Sequence, residues 1–429
     1  MHHSITRFIG ATLVTAVLLV SNFLRAADLL PDGARLAIIG DSITEQKLYS
    51  KYMETYLLAC AGRRDMKVFQ FGWGGETASG FATRLANDLA PFQPTVATTC
   101  YGMNDGSYRP FTDDIGRSYE SNMRKVVAGL RKTGVQNIVL GSPGAVDTKY
   151  FANKGFAPLS GADGYNKNLA SLRDIDKKLA DELHTGFADV HQPMIDAMAK
   201  AKAEFGAEHD VCGKDGVHPG PNGHLVMAYA FLRALGCDGR IAEIAVDMSG
   251  PATASDGHKI LGGGNGMAEI ESERYPFCLD GSAKSAAGTR SITAFLPFNQ
   301  DLNRFTLRVR NLTAPRARVT WAGESKEFSR EQLTAGVNLA AEFEKTPFDA
   351  PFRSVMEAVA AKQNFETAMI KSLVTSFRNF SKESAADPEL TSAFATVGKR
   401  LMARQTALDA ATRKALVPVK HTISVTAVQ

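Results

Sequence analysis

Cysteine is scarce and scattered in this chain. Cys60, Cys100, Cys212, Cys237 and Cys278 are spread over 429 residues, their number is odd, and no Cys-x-x-Cys knuckle is present. A dense disulfide framework is therefore excluded, and the spacing matches no standard zinc signature. One bridge remains open if the chain is exported, with Cys212 and Cys237 the first pair to consider; buried free thiols are the alternative. An excess of one charge is also missing. Lys and Arg number 49 against 45 Asp and Glu, a formal charge of +4 without a basic run. That argues against nucleic acid as the main partner. There is no internal repeat and no low-complexity tract. Gly262-Gly263-Gly264-Asn265-Gly266 lacks the Gly-Lys-Ser/Thr ending of a phosphate-binding loop and reads as a flexible turn. The composition is 44% hydrophobic and 22% charged, as in a soluble globular protein. The length is too great for one ordinary core and implies two or three units.

The N-terminus has the order of an export signal. His2, His3 and Arg7 precede an apolar stretch from Phe8 to Leu24, and Arg25-Ala26-Ala27 supplies small residues for cleavage. A retained anchor is the competing reading, although the stretch is short of the ~20 apolar residues of a comfortable span. Cleavage is expected near Ala26 or Ala27, which makes residues 1–26 a signal peptide. The mature protein would then be periplasmic or extracellular, and would meet a membrane only during export. No cysteine stands at the junction for lipid attachment.

From about Arg35 to Gly236, strand-like and helix-like segments alternate. Apolar runs suited to buried parallel strands fall at Leu36–Ile39, Val68–Phe71, Val96–Tyr101, Ile138–Leu140 and Phe187–Val190. Helical patterns cover Thr44–Ala61, Ile115–Arg131, Tyr165–Leu183 and Pro221–Leu235, the last ended by Gly236. Such alternation predicts an α/β fold, a parallel sheet covered on both faces, with its site beyond the carboxyl ends of the strands. After Arg240 the signals shorten. Ser291–Phe295, Phe305–Val309 and Ala317–Trp321 are β-rich, and a helical pattern over Phe352–Ala415 is interrupted at Ala386-Asp387-Pro388. The strand-like tail His421–Val428 is a candidate to pair back onto the β unit. The expected organisation is an α/β unit over 27–240, a β-rich accessory region over 241–345, and a mainly helical region with a terminal strand over 346–429.

Four segments lie at the predicted strand ends: Gly40-Asp41-Ser42-Ile43-Thr44, Gly74-Gly75-Glu76-Thr77, Gly102-Met103-Asn104-Asp105 and Asp215-Gly216-Val217-His218. Each is unremarkable alone. Gly-Asp-Ser suits a helix cap, Gly-Gly a turn, Asn-Asp a loop cap and Asp-x-x-His an exposed loop. Together they supply a nucleophile, donors for an oxyanion, and an imidazole with its own carboxylate, the parts required for acyl transfer. Ser42 is the candidate nucleophile, His218 its base and Asp215 the carboxylate that orients the imidazole. The backbone N–H groups of Ser42 and Gly75 and the Asn104 amide are the candidate oxyanion hole. His191 is the runner-up base and reads better as structural. Asp41, Glu76 and Asp105 read as loop braces.

These segments resemble the conserved blocks of the SGNH hydrolases, the GDSL-type esterases and lipases, over roughly Leu36 to Leu235. The resemblance implies a flavodoxin-like, three-layer domain with a five-stranded parallel sheet. It also implies serine, glycine, asparagine and histidine roles for Ser42, Gly75, Asn104 and His218, with Asp215 completing a triad. Gly40-Asp41-Ser42-Ile43-Thr44-Glu45 is similar to a bacterial branch that includes carbohydrate esterases. The implied activity is a cofactor-free serine esterase acting on an acylated small molecule or polysaccharide, with an acetylated carbohydrate favoured because no strongly apolar lid calls for lipid. Tyr108, Arg109 and Phe111 are candidates for the substrate rim, with Ser142–Ser160 as a further wall. Three alternatives stay open: a lipase or thioesterase of the same type, a metal-dependent hydrolase using Cys212, His191, His218, His224 or nearby acids, and a glycan-binding protein with a relic hydrolase domain.

Overall fold

The computed structural model describes residues 29–151 and 161–429. The expected signal segment and residues 152–160 of the Ser142–Ser160 wall lie outside the described residues. The first sheet contains β1 (Arg35–Gly40), β2 (Lys67–Gly72), β3 (Val96–Cys100), β4 (Asn137–Gly141) and β5 (Gly186–Ala188). All neighbours pair in parallel, in the order β2-β1-β3-β4-β5. This is the flavodoxin-like order, whose direction reverses between β1 and β3 and leaves a crevice there. Because successive side chains point to opposite faces, the apolar run of β1 serves two cores. Leu36 and Ile38 pack on one side, Ala37 and Ile39 on the other. The fifth predicted strand, Phe187–Val190, stops at Ala188, because the N–H of Val190 turns to the Ser142 hydroxyl (2.9 Å) to start a helix.

Helices α1 (Ser42–Glu45), α2 (Leu48–Thr55), α3 (Ala78–Leu89), α4 (Asp113–Lys132), α5 (Gly161–Leu183), α6 (His191–Phe205) and α7 (Pro221–Ala234) enclose this sheet. The helix expected over Thr44–Ala61 is broken at Lys47, whose φ of +61° is left-handed, and it ends in a π-turn over Tyr56–Cys60. His224 takes up the slack. Its Nδ1 accepts from the N–H of Tyr49 at the start of α2 (3.3 Å), while its Nε2–H donates to Gln46 Oε1 (2.8 Å).

The region after Arg240 forms two further sheets. Strands β6 (Arg240–Asp247), β7 (Thr253–Ala254), β8 (His258–Gly263), β9 (Met267–Ser272), β10 (Arg304–Arg310), β11 (Arg316–Trp321), β12 (Glu324–Ser329), β13 (Val337–Asn338) and β14 (Val419–Val428) are arranged as β13-β10-β6-β7 and β12-β11-β14-β9-β8. The C-terminal strand β14 thus sits in the middle of the last sheet, antiparallel to both β11 and β9. Trp321 is fully buried among Phe305, Phe343 and Phe348. The β-rich run Ser291–Phe295 is not a strand. Ser291–Ala294 is a 3₁₀ turn in which the Thr293 hydroxyl and N–H both turn back to the Arg290 carbonyl, local bonds that compete with a ladder.

The helix Asp349–Met369 closes the β2 edge of the first sheet, where unpaired main-chain groups would otherwise face outward. Its buried Lys362 ammonium donates to the Val68 carbonyl (2.6 Å), and Glu366 accepts from the N–H of Gln70 (3.1 Å). Lys362 also pairs with Glu54 (2.9 Å) and Glu366 (3.0 Å). All five cysteines are free. The bridge considered between Cys212 and Cys237 is absent because the two flank α7, whose 14 residues rise ~21 Å. Among the described residues, no helix is long and apolar enough to cross a membrane.

Candidate active site

The crevice beside β1 and β3 gathers the four segments. Asp41 caps α1, its carboxylate accepting from the N–H of Ile43 (2.9 Å), and Ser42 is the first helical residue. The early N–H groups of a helix lack intrahelical acceptors and favour negative charge. Burial, with the charges of Asp105 and Glu76, raises the Asp41 carboxyl to about 7.

His218 Nε2 lies 2.8 Å from Ser42 Oγ, and His218 Nδ1 lies 2.7 Å from Asp215 Oδ2. A carboxylate can only accept from Nδ1–H, so Nε2 carries the lone pair that faces the hydroxyl. Asp215 Oδ1 accepts the N–H groups of Val217 and His218, both at 2.9 Å. Partial burial pushes Asp215 up, but those two N–H groups and the imidazole outweigh it and leave the carboxyl below its ordinary value. The loop closes through Gly216, whose φ is +82° and where a Cβ would stand 2.3 Å from the Phe151 nitrogen.

Gly75 and Asn104 stand on the loops that follow β2 and β3, the two strands that flank β1. Gly75 has φ +72° with open space where a Cβ would be, so its backbone conformation, rather than crowding, calls for glycine. Among the described residues, no acceptor engages the N–H of Ser42 or Gly75. Asn104 Nδ2 donates to the Glu76 carbonyl (3.0 Å), and Asn104 Oδ1 accepts from the Tyr108 hydroxyl (3.2 Å). Glu76 is held by Arg84 (2.6 Å) and Tyr101 (2.7 Å). Asp105 accepts from the N–H groups of Ala78 and Gly102, both at 3.0 Å, and burial raises its carboxyl to about 6. The three acids brace loops.

One support is supplied from far along the chain. Lys371 pairs with Glu45 (2.6 Å), Glu45 accepts from the N–H of Gly74, and the Lys371 ammonium lies over the Trp73 ring. No local signal marks Lys371, because 326 residues separate it from Glu45. Of the three rim candidates, Tyr108 faces the site through Asn104. Arg109 is exposed, with its carbonyl held by Asn168 (2.7 Å). Phe111 turns towards α4, where a Cβ on Gly116 would meet its ring at 2.8 Å. The alternative metal ligands do not converge. Cys212 packs on Met198, His191 Nδ1 faces the Gly144 carbonyl (2.9 Å) and His224 is engaged at α2. Among the described residues, no three His, Cys, Asp or Glu side chains are grouped for a metal ion.

Residues 38–226 match the model of the GDSL-like lipase/acylhydrolase family. The α/β unit belongs to that family, and the protein is a carboxylic ester hydrolase of the SGNH type. No curated protein matches the chain. Among solved structures, BT4096, a gut microbial diltiazem-metabolizing enzyme, is similar with 20% identity and a TM-score of 0.72, over 94% of this chain and 100% of that one. The fold is therefore shared beyond the α/β unit. Axe2, an acetylxylan esterase from Geobacillus stearothermophilus, is 22% identical with a TM-score of 0.40, over 48% of this chain and 96% of its own. LAE5, an alpha/beta hydrolase enzyme from the metagenome of Lake Arreo, Spain, is 23% identical with a TM-score of 0.40, over 49% and 98%.

Proposed function

We propose that the protein is an exported serine esterase in which Ser42, His218 and Asp215 remove the acyl group from an acetylated carbohydrate. The observation that carries this reading is the unbroken line from the Asp215 carboxylate through the imidazole to Ser42 Oγ, with contacts of 2.7 and 2.8 Å. His218 takes the Ser42 proton as the hydroxyl attacks the acyl carbon. Negative charge then develops on the carbonyl oxygen, where the N–H groups of Ser42 and Gly75 and the Asn104 amide receive it. The imidazolium, steadied by Asp215, gives its proton to the departing alcohol. Water activated by the same imidazole releases the acid and restores the serine.

Export is supported by the apolar stretch ahead of Ala26-Ala27. The carbohydrate reading is supported by a mouth that combines two polar groups, exposed Asp215 and half-buried Asn104, with the rings of Tyr108 and Phe151. Such a mixture suits a sugar, which has hydroxyl edges and apolar faces.

A fluorophosphonate probe should label the wild type on the peptide carrying Ser42 and leave Ser42→Ala unlabelled. Acetate release from a panel of acetylated glycans should fall at least ~10³-fold in that variant. Labelling at a different residue would overturn the nucleophile. Cleavage of long-chain lipid esters without acetate release from any glycan would overturn the substrate class.

A further inference from the structure

We infer that Tyr108 is a positioning residue for ester hydrolysis, its phenolic O–H fixing the Asn104 carboxamide so that one Nδ2–H is presented to the developing oxyanion. This rests on the proposed role of Asn104 and goes beyond it by naming what orients the amide.

The chemistry of the two partners sets the orientation. A main-chain carbonyl can only accept, so the end of the Asn104 side chain lying 3.0 Å from the Glu76 carbonyl must be the amide nitrogen. The other end is then the oxygen, 3.2 Å from the Tyr108 hydroxyl, and the phenol must donate. Both ends of a planar group are thereby held. Nδ2 has a second N–H, which meets no acceptor among the described residues. A hydrogen bond received at the amide oxygen also polarises the group and strengthens its N–H as a donor.

Tyr108 is itself held in an unusual backbone conformation. Ser107 and Tyr108 have φ values of +55° and +53°, a left-handed pair that a bulky side chain rarely adopts. Such a conformation persists only where surrounding contacts over-determine it, and it concentrates at functional sites. The Tyr108 ring lies parallel to those of Tyr165 (5.1 Å between centroids) and Phe151 (6.3 Å), and the Tyr165 hydroxyl donates to the Met103 carbonyl beside Asn104. Burial raises the Tyr108 phenol to about 12, so it remains a donor throughout the working range of a histidine base. On the opposite side, Arg84 and Tyr101 secure the Glu76 side chain, which steadies its carbonyl.

The test is a double-mutant cycle read with 4-nitrophenyl acetate on the full chain. Tyr108→Phe keeps the ring and the packing but removes the O–H. It should lower kcat ~10-fold, the value of one hydrogen bond, with KM changed less than ~2-fold and no change in melting temperature. Asn104→Ala should lower kcat ~10²–10³-fold. The double variant should match Asn104→Ala within ~2-fold, since the phenol acts only through the amide. Retention of the full Tyr108→Phe loss in the Asn104→Ala background, or an effect confined to KM, would overturn the positioning role alone. An Asn104→Ala enzyme with intact kcat would overturn both the oxyanion assignment and this inference.

Discussion

Acid should weaken this protein through a buried relay remote from the active site. Trp321 Nε1–H donates to His421 Nδ1 (3.2 Å), and His421 Nε2–H donates to Ser272 Oγ (2.9 Å). The Ser272 hydroxyl donates to His258 Nδ1 (2.8 Å), and His258 Nε2–H donates to the Ile241 carbonyl (2.9 Å). Each ring nitrogen thus has one defined role, and both imidazoles must be neutral. A proton added at either Nδ1 would face another donor. Burial, reinforced by the neighbouring His258, lowers His421 from 6.5 to about 4. The unfolded chain therefore binds a proton more readily than the native state as pH falls below ~6.5, and stability is lost down to about 4. The loss from His421 works out at about 2 kcal/mol by pH 5 and about 3 kcal/mol by pH 4. His224, lowered by burial to about 3, acts in the same direction, whereas Asp41, Asp105 and Glu366, raised by burial, act in the opposite one. The total slope mixes both signs, so the informative quantity is a difference. Urea unfolding of wild type and His421→Gln should be compared at pH 7.5 and pH 5. At pH 7.5 the wild type should be the more stable, and at pH 5 its advantage should shrink by about 2 kcal/mol, because the variant has no proton to take up there. A stability difference that stays constant within ~0.5 kcal/mol would refute the neutral-relay argument.

Two further perturbations probe other parts of the molecule. Lys362→Met leaves Glu54 and Glu366 buried with no cation between them and should destabilise the fold by ~3–5 kcal/mol in chemical denaturation; a loss under ~1 kcal/mol would mean that the edge-closing helix does not depend on this charge. Gly75→Ala meets no atom but forces a side chain onto φ +72°, so it should cost only ~1–2 kcal/mol of stability while turnover drops ~10-fold or more as the N–H shifts. Unchanged kcat in that variant would remove Gly75 from the proposed oxyanion hole.

The sequence by itself determined the α/β unit and the groups present in its candidate site. Buried parallel strands are short apolar runs, and their loops must emerge at one end of the sheet, so Ser42, Gly75, Asn104 and the pair Asp215 and His218 could be assigned to a common edge before any coordinates. The Asp215–His218 contact was legible because it spans three residues of one turn. The family resemblance, in turn, was legible because all four blocks are local. What the chain did not reveal is whatever depends on distant partners or on backbone dihedral angles. Lys371 reaches Glu45, Lys362 reaches Glu54, and β14 enters a sheet between strands that precede it by more than 90 residues. The Ser291–Phe295 strand expectation failed for a related reason: β-rich composition states a preference for half-buried surface, and here local bonds to the Arg290 carbonyl prevailed. Phe111 is near Asn104 in sequence yet turns towards α4, whereas the Tyr108 hydroxyl reaches the amide only because two residues adopt left-handed angles. Local patterns specify which groups are present. Their orientation follows from packing, because hydrogen bonds and buried charges are satisfied only by particular neighbours, and those neighbours exist only once the chain has folded.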